Sequence, residues 1–365
     1  MRTRPVRIDQ VIPSIVERDA VSHHTLEAQR VLHSMGFVSE IYACSVGPGL
    51  AGRVHPLSDL PRERSECQWV CYQASIGSPA ADVVASHPGL KLVDYHNISP
   101  SELIERWMPH LGEETRLGRK QLAELAPVVE LGFADSEFNR VELDEAGYRR
   151  TTVAPLMVDT ANFYSSPDPK VVDRLESARA LGGHDWLFVG QMLPHKAHHD
   201  VIKALVCARR IFDPQARLHL VGRESCAPYA DALRKFVSAI GLTEAVEFAG
   251  SISPGELSAY YTSADVLVCC SDHEGFCVPL LEAMHHRLPV VAYGVAAVPE
   301  TLLDAGIVLP SKSPVLVAAA VQRVLTDHQL HDALVSAGLR RTRLFTVDGA
   351  RRAFAQAIEQ VIQAA

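Results

Sequence analysis

Two glutamates, Glu274 and Glu282, flank a stretch that reads as strand, tight loop and short helix. Val266 to Cys270 is a continuous apolar run, the pattern of a parallel strand buried on both faces. Ser271 to Val278 is polar, carries one glycine and reads as a loop. Pro279 suits the first position of a helix, where its missing N–H costs nothing. Pro289 ends that helix, and Val290 to Tyr293 is the next strand. A helix N-terminus at the carboxyl end of a parallel strand is an anion site, because free N–H groups and the helix dipole both point into the loop. Carboxylates do not bind phosphate, but they accept hydrogen bonds from vicinal hydroxyls. Phosphate donors between two hydroxyl acceptors describe a nucleotide-sugar site. The spacing alone is weak, since Glu105/Glu113 and Glu137/Glu145 repeat it in stretches that read as helix. Such a pair, taken by itself, is two solvated helix charges. The strand, the Glu-Gly-Phe loop and the Pro-x-x-Glu-Ala-Met helix single out the third pair.

Other elements must bring partners to that loop. Trp186 to Gly190 reads as a strand running into Gln191-Met-Leu-Pro194-His195-Lys196. Leu90 to Tyr95 is a strand ending in His96-Asn97, and carboxyl ends of strands are where open α/β sheets bind ligands. Ser99 as N-cap, Pro100 at the first position and Glu102 as capping-box partner predict a helix there. Near the start, Asp19-Ala20-Val21-Ser22 reads as a loop, either an ordinary β–α turn or an acceptor contact. Ser22 would be the N-cap of a helix from His23 to about Met35, closed by Gly36. The long loop from Gly47 to Glu66 is a second acceptor candidate, because long loops in compact domains are uncommon and often functional. Glu113 to Glu130 reads as a helix with Leu117, Leu122, Leu125 and Val128 as its apolar stripe. His195, His198 and His199 have no carboxylate or cysteine at ligand spacing and read as solvated loop and helix-start residues.

Glu274-Gly275-Phe276, Pro279 and Glu282-Ala283-Met284, followed by Pro289-Val290-Val291-Ala292, resemble the Glu-x7-Glu signature of the retaining glycosyltransferases of family 4. The resemblance is strong from Trp186 to Glu300 and implies the GT-B fold of two Rossmann-like domains facing each other across a cleft. It also implies roles. Glu274 would hold the sugar, Glu282 the ribose, and His96 would face the donor sugar from the other domain. Gly190, Gln191, Lys196 and Arg223, with the backbone of Gly275, Phe276, Cys277 and Val278, would hold the diphosphate. Ser251 and Ile252, after the strand Val246 to Gly250, would hold the base through backbone groups. Two positions depart from the family pattern: Gln191 replaces an arginine, and Cys277 replaces a glycine that would tolerate a positive φ. Arg223 is the candidate substitute for the missing charge.

The chain has 365 residues, long for one domain and comfortable for two. A net charge of −8 argues against nucleic acid as a bulk partner. No window approaches the ~18 continuous apolar residues of a membrane span. The basic start lacks the apolar core of a signal peptide. Eight scattered cysteines suit free thiols in a reducing cytoplasm. The expected organisation is an acceptor-binding domain over 1–158, a linker over 159–180, a nucleotide-sugar domain over 181–345, and a final helix over 346–365 that returns to the first domain. The expected activity is retaining transfer of a sugar from a UDP-sugar, with a GDP-sugar as the other option, to a hydroxyl or amine of a carbohydrate, lipid-linked or small-molecule acceptor. No cofactor or metal is called for, and peripheral membrane contact is allowed. Alternatives are a nucleotide-sugar epimerase on the same fold and a non-catalytic partner subunit.

Overall fold

Short runs of β-branched and aromatic residues, each followed by a polar turn and a helical stretch, fold here as parallel strands with crossover helices. The computed structural model describes residues 6–17, 19–62, 68–158 and 165–363. Two units separate: Met1–Glu105 with Pro109–Asp159 and Phe345–Ala365, and Arg106–Met108 with Thr160–Leu344.

The first unit is a seven-stranded parallel sheet of β1 (Arg7–Ile15), β2 (Ile41–Val46), β3 (His55–Pro56), β4 (Gln68–Ala74), β5 (Leu90–Tyr95), β6 (Leu131–Ala134) and β7 (Thr151–Val153). Their order is β3-β2-β1-β4-β5-β6-β7, so the winding direction reverses between β1 and β4. The helices are α1 (Ala20–Ser34), α2 (Pro79–Ala85), α3 (Pro109–Leu125) and α4 (Glu137–Glu145). Three expectations are corrected. The N-cap of α1 is Asp19, whose carboxylate accepts from the Ser22 N–H, so Ala20, Val21 and Ser22 form the first helical turn rather than a loop. An aspartate can cap as well as a serine, and here the earlier residue takes the role. Ser99 caps no helix: a 3₁₀ turn spans Ser101–Leu103, and α3 starts only at Pro109. Finally, the buried face of α3 is Gly112, Thr115, Gly118, Gln121, Leu122 and Leu125, while Leu117 and Val128 are exposed. The glycines explain the rotation. A Cβ on Gly118 would stand 2.5 Å from the Gly77 N, so α3 lies backbone-close on the 76–77 turn. The described part of the long 47–66 loop holds β3 and a 3₁₀ turn over Leu57–Asp59; residues 63–66 lie outside the described residues.

The second unit begins with α5 (Pro169–Arg179), whose N-cap Asp168 accepts from the Lys170 and Val171 N–H groups. The stretch expected as linker to residue 180 therefore contains a helix, and it packs on this unit's own α8; residues 159–164 lie outside the described residues. The unit continues through β8 (Asp185–Val189), α6 (His198–Ile211), β9 (Arg217–Val221), α7 (Ala227–Ala239), β10 (Val246–Gly250), α8 (Pro254–Ser263), β11 (Val266–Cys269), α9 (Val278–His285), β12 (Val290–Tyr293), α10 (Val298–Leu302), β13 (Ile307–Leu309), α11 (Pro314–Thr326) and α12 (His328–Thr342). The parallel order is β10-β9-β8-β11-β12-β13, with the reversal between β8 and β11. Trp186, Phe188, Leu218, Leu220, Val266, Val268 and Val291 fill the core between sheet and helices.

The chain then supplies α13 (Val347–Gln363) to the first unit. Its buried face is Ala350, Phe354, Ala357, Ile358 and Val361, packed among Trp69, Leu92, Leu131 and Phe133. The Phe354 ring lies 5.4 Å from that of Phe133, and Arg351 donates to the buried Glu27 of α1. Phe354 is fully buried. Phe354→Ala should therefore destabilise the first unit by about 3–5 kcal/mol, the usual cost of truncating a buried aromatic. Denaturant unfolding of the variant reads that loss, and a change below about 1 kcal/mol would mean that α13 adds little to this core.

Candidate functional site

Where the winding of an open parallel sheet reverses, the loops leaving the two central strands diverge and leave a crevice at their carboxyl ends. In the second unit those strands are β8 and β11, and both loops carry residues singled out from the sequence. After β8, Gly190 and Gln191 are followed by a 3₁₀ turn over Pro194–Lys196 and by Ala197 in the left-handed region at φ 50°. This turn aims Lys196 at the loop after β11. Its Nζ donates to both carboxylate oxygens of Glu274, at 2.8 Å each. Burial by itself would lower the Lys196 pKa; Glu274 more than offsets it, and the net shift is upward. The ammonium is thus held charged. An ammonium has three N–H groups, so one stays available beside Glu274.

The loop carrying Glu274 is fixed from several sides. Ala297 N–H donates to the Glu274 carbonyl and the Thr301 hydroxyl to that of Phe276. Asp272 N–H donates to the His195 carbonyl, which ties this loop to the one after β8. Cys277 is the N-cap of α9 and takes φ 66°, ψ 66°. The conformation that a glycine would adopt freely is thus kept by a cysteine. Val278, not Pro279, is the first helical residue, and Pro279 is second, also a position whose N–H has no partner inside the helix. One turn on, Glu282 accepts a 2.6 Å hydrogen bond from the Tyr261 hydroxyl of α8, whose ring stacks on His286 at 5.3 Å and 4°. Burial raises the Glu282 pKa, and the Tyr261 bond offsets this only in part. Tyr261 had no signal in the sequence, because a tyrosine in the middle of a helical stretch reads as core.

Gln191 and Arg223 meet. The Gln191 Oε1 accepts from the Ser225 hydroxyl at 2.7 Å and from the Arg223 guanidinium at 3.2 Å. Gly222 allows this approach: at φ 148° it lies so close to the neighbouring strand end that a Cβ would stand 2.0 Å from the Gly190 carbonyl. Ser251 and Ile252 follow β10 at the same end of the sheet, and no described contact joins them to the Lys196–Glu274 pair. His195 and His198 are buried rather than solvated. Burial lowers both pKa values, that of His198 to about 3, so both rings are neutral. The Pro194–Lys196 turn folds them inward, which a reading of local polarity does not anticipate.

In the first unit His96 follows β5, and its ring is wholly buried. Its protonation follows from the bonds around it. Gln10 Nε2 donates to the Thr25 carbonyl, which can only accept. Gln10 Oε1 must then accept from Gln73 Nε2, at 3.0 Å, leaving Gln73 Oε1 to accept from His96 Nε2, at 2.6 Å. The other ring nitrogen, Nδ1, faces the Asp135 carboxylate at 3.1 Å. Both nitrogens donate, so His96 is an imidazolium. Asp94 Oδ1 lies 3.9 Å from Nε2. Burial would lower the His96 pKa, but Asp135 and Asp94 together raise it to about 9. His24, whose ring centroid is 4.9 Å away, accepts from the Met157 N–H at Nδ1 and so donates from Nε2 to Asp94. No nitrogen of either ring keeps a free lone pair, so His24, Asp94 and His96 cannot hold a metal ion as they stand. Gln10, Gln73, Asp94 and Asp135 were not anticipated; Asp94 lies within β5, where the sequence reads only as strand.

The Lys196–Glu274 pair and the His96 cluster belong to different units. Residues 174–341 match the family model for "Glycosyl transferases group 1". The chain is 32% identical over 194 residues to a GDP-mannose-dependent alpha-(1-6)-phosphatidylinositol monomannoside mannosyltransferase of Mycobacterium tuberculosis, covering 50% of this chain and 49% of that protein. It is 30% identical over 240 residues to a D-inositol 3-phosphate glycosyltransferase of Geodermatophilus obscurus, covering 62% and 50%. The chain thus spans about half the length of these relatives. In fold it is similar to Anabaena HepE, solved with UDP and glucose, at TM-score 0.76 and 15% identity over 97% of this chain and 100% of that one. It is also similar to WaaG, a glycosyltransferase involved in lipopolysaccharide biosynthesis, at TM-score 0.71 and 13% identity over 96% and 99%.

The charge on His96 gives a pH dependence with a definite sign. Its pKa is raised on folding, from 6.5 to about 9, so its contribution to stability is fully present below pH 6.5 and is lost as pH rises through about 9. The shift is worth roughly 3 kcal/mol. Unfolding free energy should fall across that window, and Asp135→Asn should flatten the fall. An unchanged slope in that variant would place the titration elsewhere. The two parallel sheets have the GT-B architecture, and the match to the group 1 family model falls on the second of them.

Proposed function

We propose that the chain transfers a hexose from a nucleoside-diphosphate donor to an acceptor hydroxyl or amine, with retention at the anomeric carbon. The observation that carries this reading is the Lys196 ammonium held on both oxygens of Glu274, at the β8/β11 reversal where α9 opens. Lys196 offers its third N–H to the leaving diphosphate. The Gln191–Arg223 pair adds a second cation beside it, and the Gly275–Val278 segment presents the start of α9. Charge developing on the leaving oxygen is met by groups already in place, which is how a preorganised site lowers a barrier. Glu274 keeps lone pairs for sugar hydroxyls, and Glu282, held by Tyr261, accepts from the ribose. His96 acts as a positioning residue: its ring, bonded at both nitrogens, fixes the end of β5. We assign no enzymic nucleophile, and the acceptor attacks the anomeric carbon directly.

The sequence relatives named for GDP-mannose share more residues with this chain than the UDP-bound fold neighbour does, which favours a GDP-hexose over the UDP-sugar first expected. Incubation with GDP- and UDP-hexoses and an acceptor panel tests the reading. The new linkage should keep the donor's anomeric configuration, as read from NMR coupling constants. An inverted product, or donor epimerised without acceptor, would overturn the assignment.

The charged pair gives a second test. Lys196→Ala should weaken donor binding and turnover together and destabilise the unit by about 3–5 kcal/mol, because Glu274 is left unpaired in a buried place. In Lys196→Ala/Glu274→Gln the stability should largely return while donor binding does not. Glu274→Gln alone should lower kcat more than it weakens donor binding, since its contact with the reacting sugar strengthens in the transition state. Parallel recovery of stability and donor affinity in the double variant would show the pair to be purely structural.

A further inference from the structure

Cys277 sits in a conformation that disfavours any side chain. At φ 66° a residue with a Cβ is less stable than glycine by roughly 1–2 kcal/mol. A strained residue at a ligand site is a reason to look for what its side chain does. Its thiol is buried, as is that of Cys269, the last residue of β11. The two sulfurs and a carboxylate oxygen of Glu274 all lie within 4.8 Å of one another. Around a tetrahedral zinc ion, with Zn–S of about 2.3 Å, two sulfur ligands stand about 3.8 Å apart. Small side-chain adjustments therefore bring three ligands onto one ion and leave the fourth position open. The Cys269 sulfur has the Ser271 hydroxyl at 3.5 Å, a weak contact that an ion can displace, whereas the ring nitrogens of His24 and His96 are held by firm hydrogen bonds.

We propose that Cys269, Cys277 and Glu274 form a site for a thiophilic divalent cation, such as zinc, that shuts the donor site reversibly. Thiolate ligands select such ions over magnesium or calcium. Each thiol gives its proton to solvent and its lone pair to the cation; no electrons change hands. With two thiolates the bound ion carries no net charge, so Lys196 keeps one Glu274 oxygen while the ion takes the other. The cation thus occupies the carboxylate oxygen that the sugar hydroxyls would use. The ion is an inhibitor. The inhibitory consequence rests on the donor site proposed above; the binding does not.

Cobalt(II) reports the binding directly, through the near-ultraviolet charge-transfer band that thiolate ligation produces. The reduced full-length protein, kept in a phosphine reductant, should develop this band to one equivalent, and zinc should bleach it. Cys269→Ser and Cys277→Gly should both lose it. Cys277→Gly puts the unstrained residue at φ 66°, so its fold should hold, as melting temperature will show. In the transfer assay zinc should inhibit at least tenfold, excess donor should protect and a chelator should restore the rate. Cys269→Ser should transfer sugar at the parental rate and resist the same zinc concentration. Absence of the cobalt band, or a band that survives in both variants, overturns the site. A band lost in both variants together with no sugar transfer under any condition would leave the metal site standing and remove the transferase reading instead.

Discussion

A carboxylate taken out of water needs a cation, and in the second unit everything near the β8/β11 reversal follows from giving Glu274 one. Lys196 must reach it from the neighbouring strand's loop. That requires the 3₁₀ turn over Pro194–Lys196, the left-handed Ala197 that lets α6 start immediately afterwards, and the inward folding of His195 and His198. The Asp272-to-His195 backbone bond joins the two loops, so the pair is braced from both sides. Removing Lys196 would leave Glu274 without its cation in a buried place.

The first unit solves the same electrostatic problem with a different cation. Asp94 and Asp135 are both buried, and a neutral His96 would leave two negative charges together in a low-dielectric interior. Protonating His96 reduces the cluster to one net charge, and the Gln10–Gln73 relay, anchored on the Thr25 carbonyl, makes the second ring nitrogen a donor as well. This ring is therefore poorly suited to shuttling protons near neutral pH. It is well suited to holding the ends of β4, β5 and β6 in one register, since Gln73, His96 and Asp135 lie on or just past them.

Periodicity and punctuation made most of the fold legible. Continuous apolar runs located the central strands, and Pro279 marked the start of α9 to within a residue, although the helix ends at His285, well before Pro289. The final helix expected over 346–365 is α13, Val347–Gln363. What failed was decided by longer-range contacts. Ser99, Pro100 and Glu102 carry every local sign of a helix start, yet the chain there makes only a 3₁₀ turn. Leu117 was left outside the buried face of α3 because Gly112 and Gly118 let the helix lie closer to its neighbours than a larger side chain could, while Leu122 and Leu125 stayed inside. Tyr261 and Gln73, inside elements, and Asp135, just past one, stayed invisible for a related reason: the importance of each lies in a partner far along the chain.

The departures from the family pattern are the places where this chain differs chemically, and the structure makes each one local. Gln191 brings no charge, but the guanidinium of Arg223 rests on its carboxamide, so a positive charge stands beside that position from the neighbouring strand's loop. The charge is less constrained there. Arg223 is exposed and reaches Gln191 from β9 rather than being placed by the β8 turn itself. Cys277 is the converse case: the backbone path is kept at φ 66° and the side chain is what changes. A loop that keeps a strained cysteine next to a second buried thiol and the Glu274 carboxylate places two soft ligands beside a buried charge pair. Glycine there would give the same backbone without that chemistry, so the cost of the left-handed conformation is borne by the thiol alone.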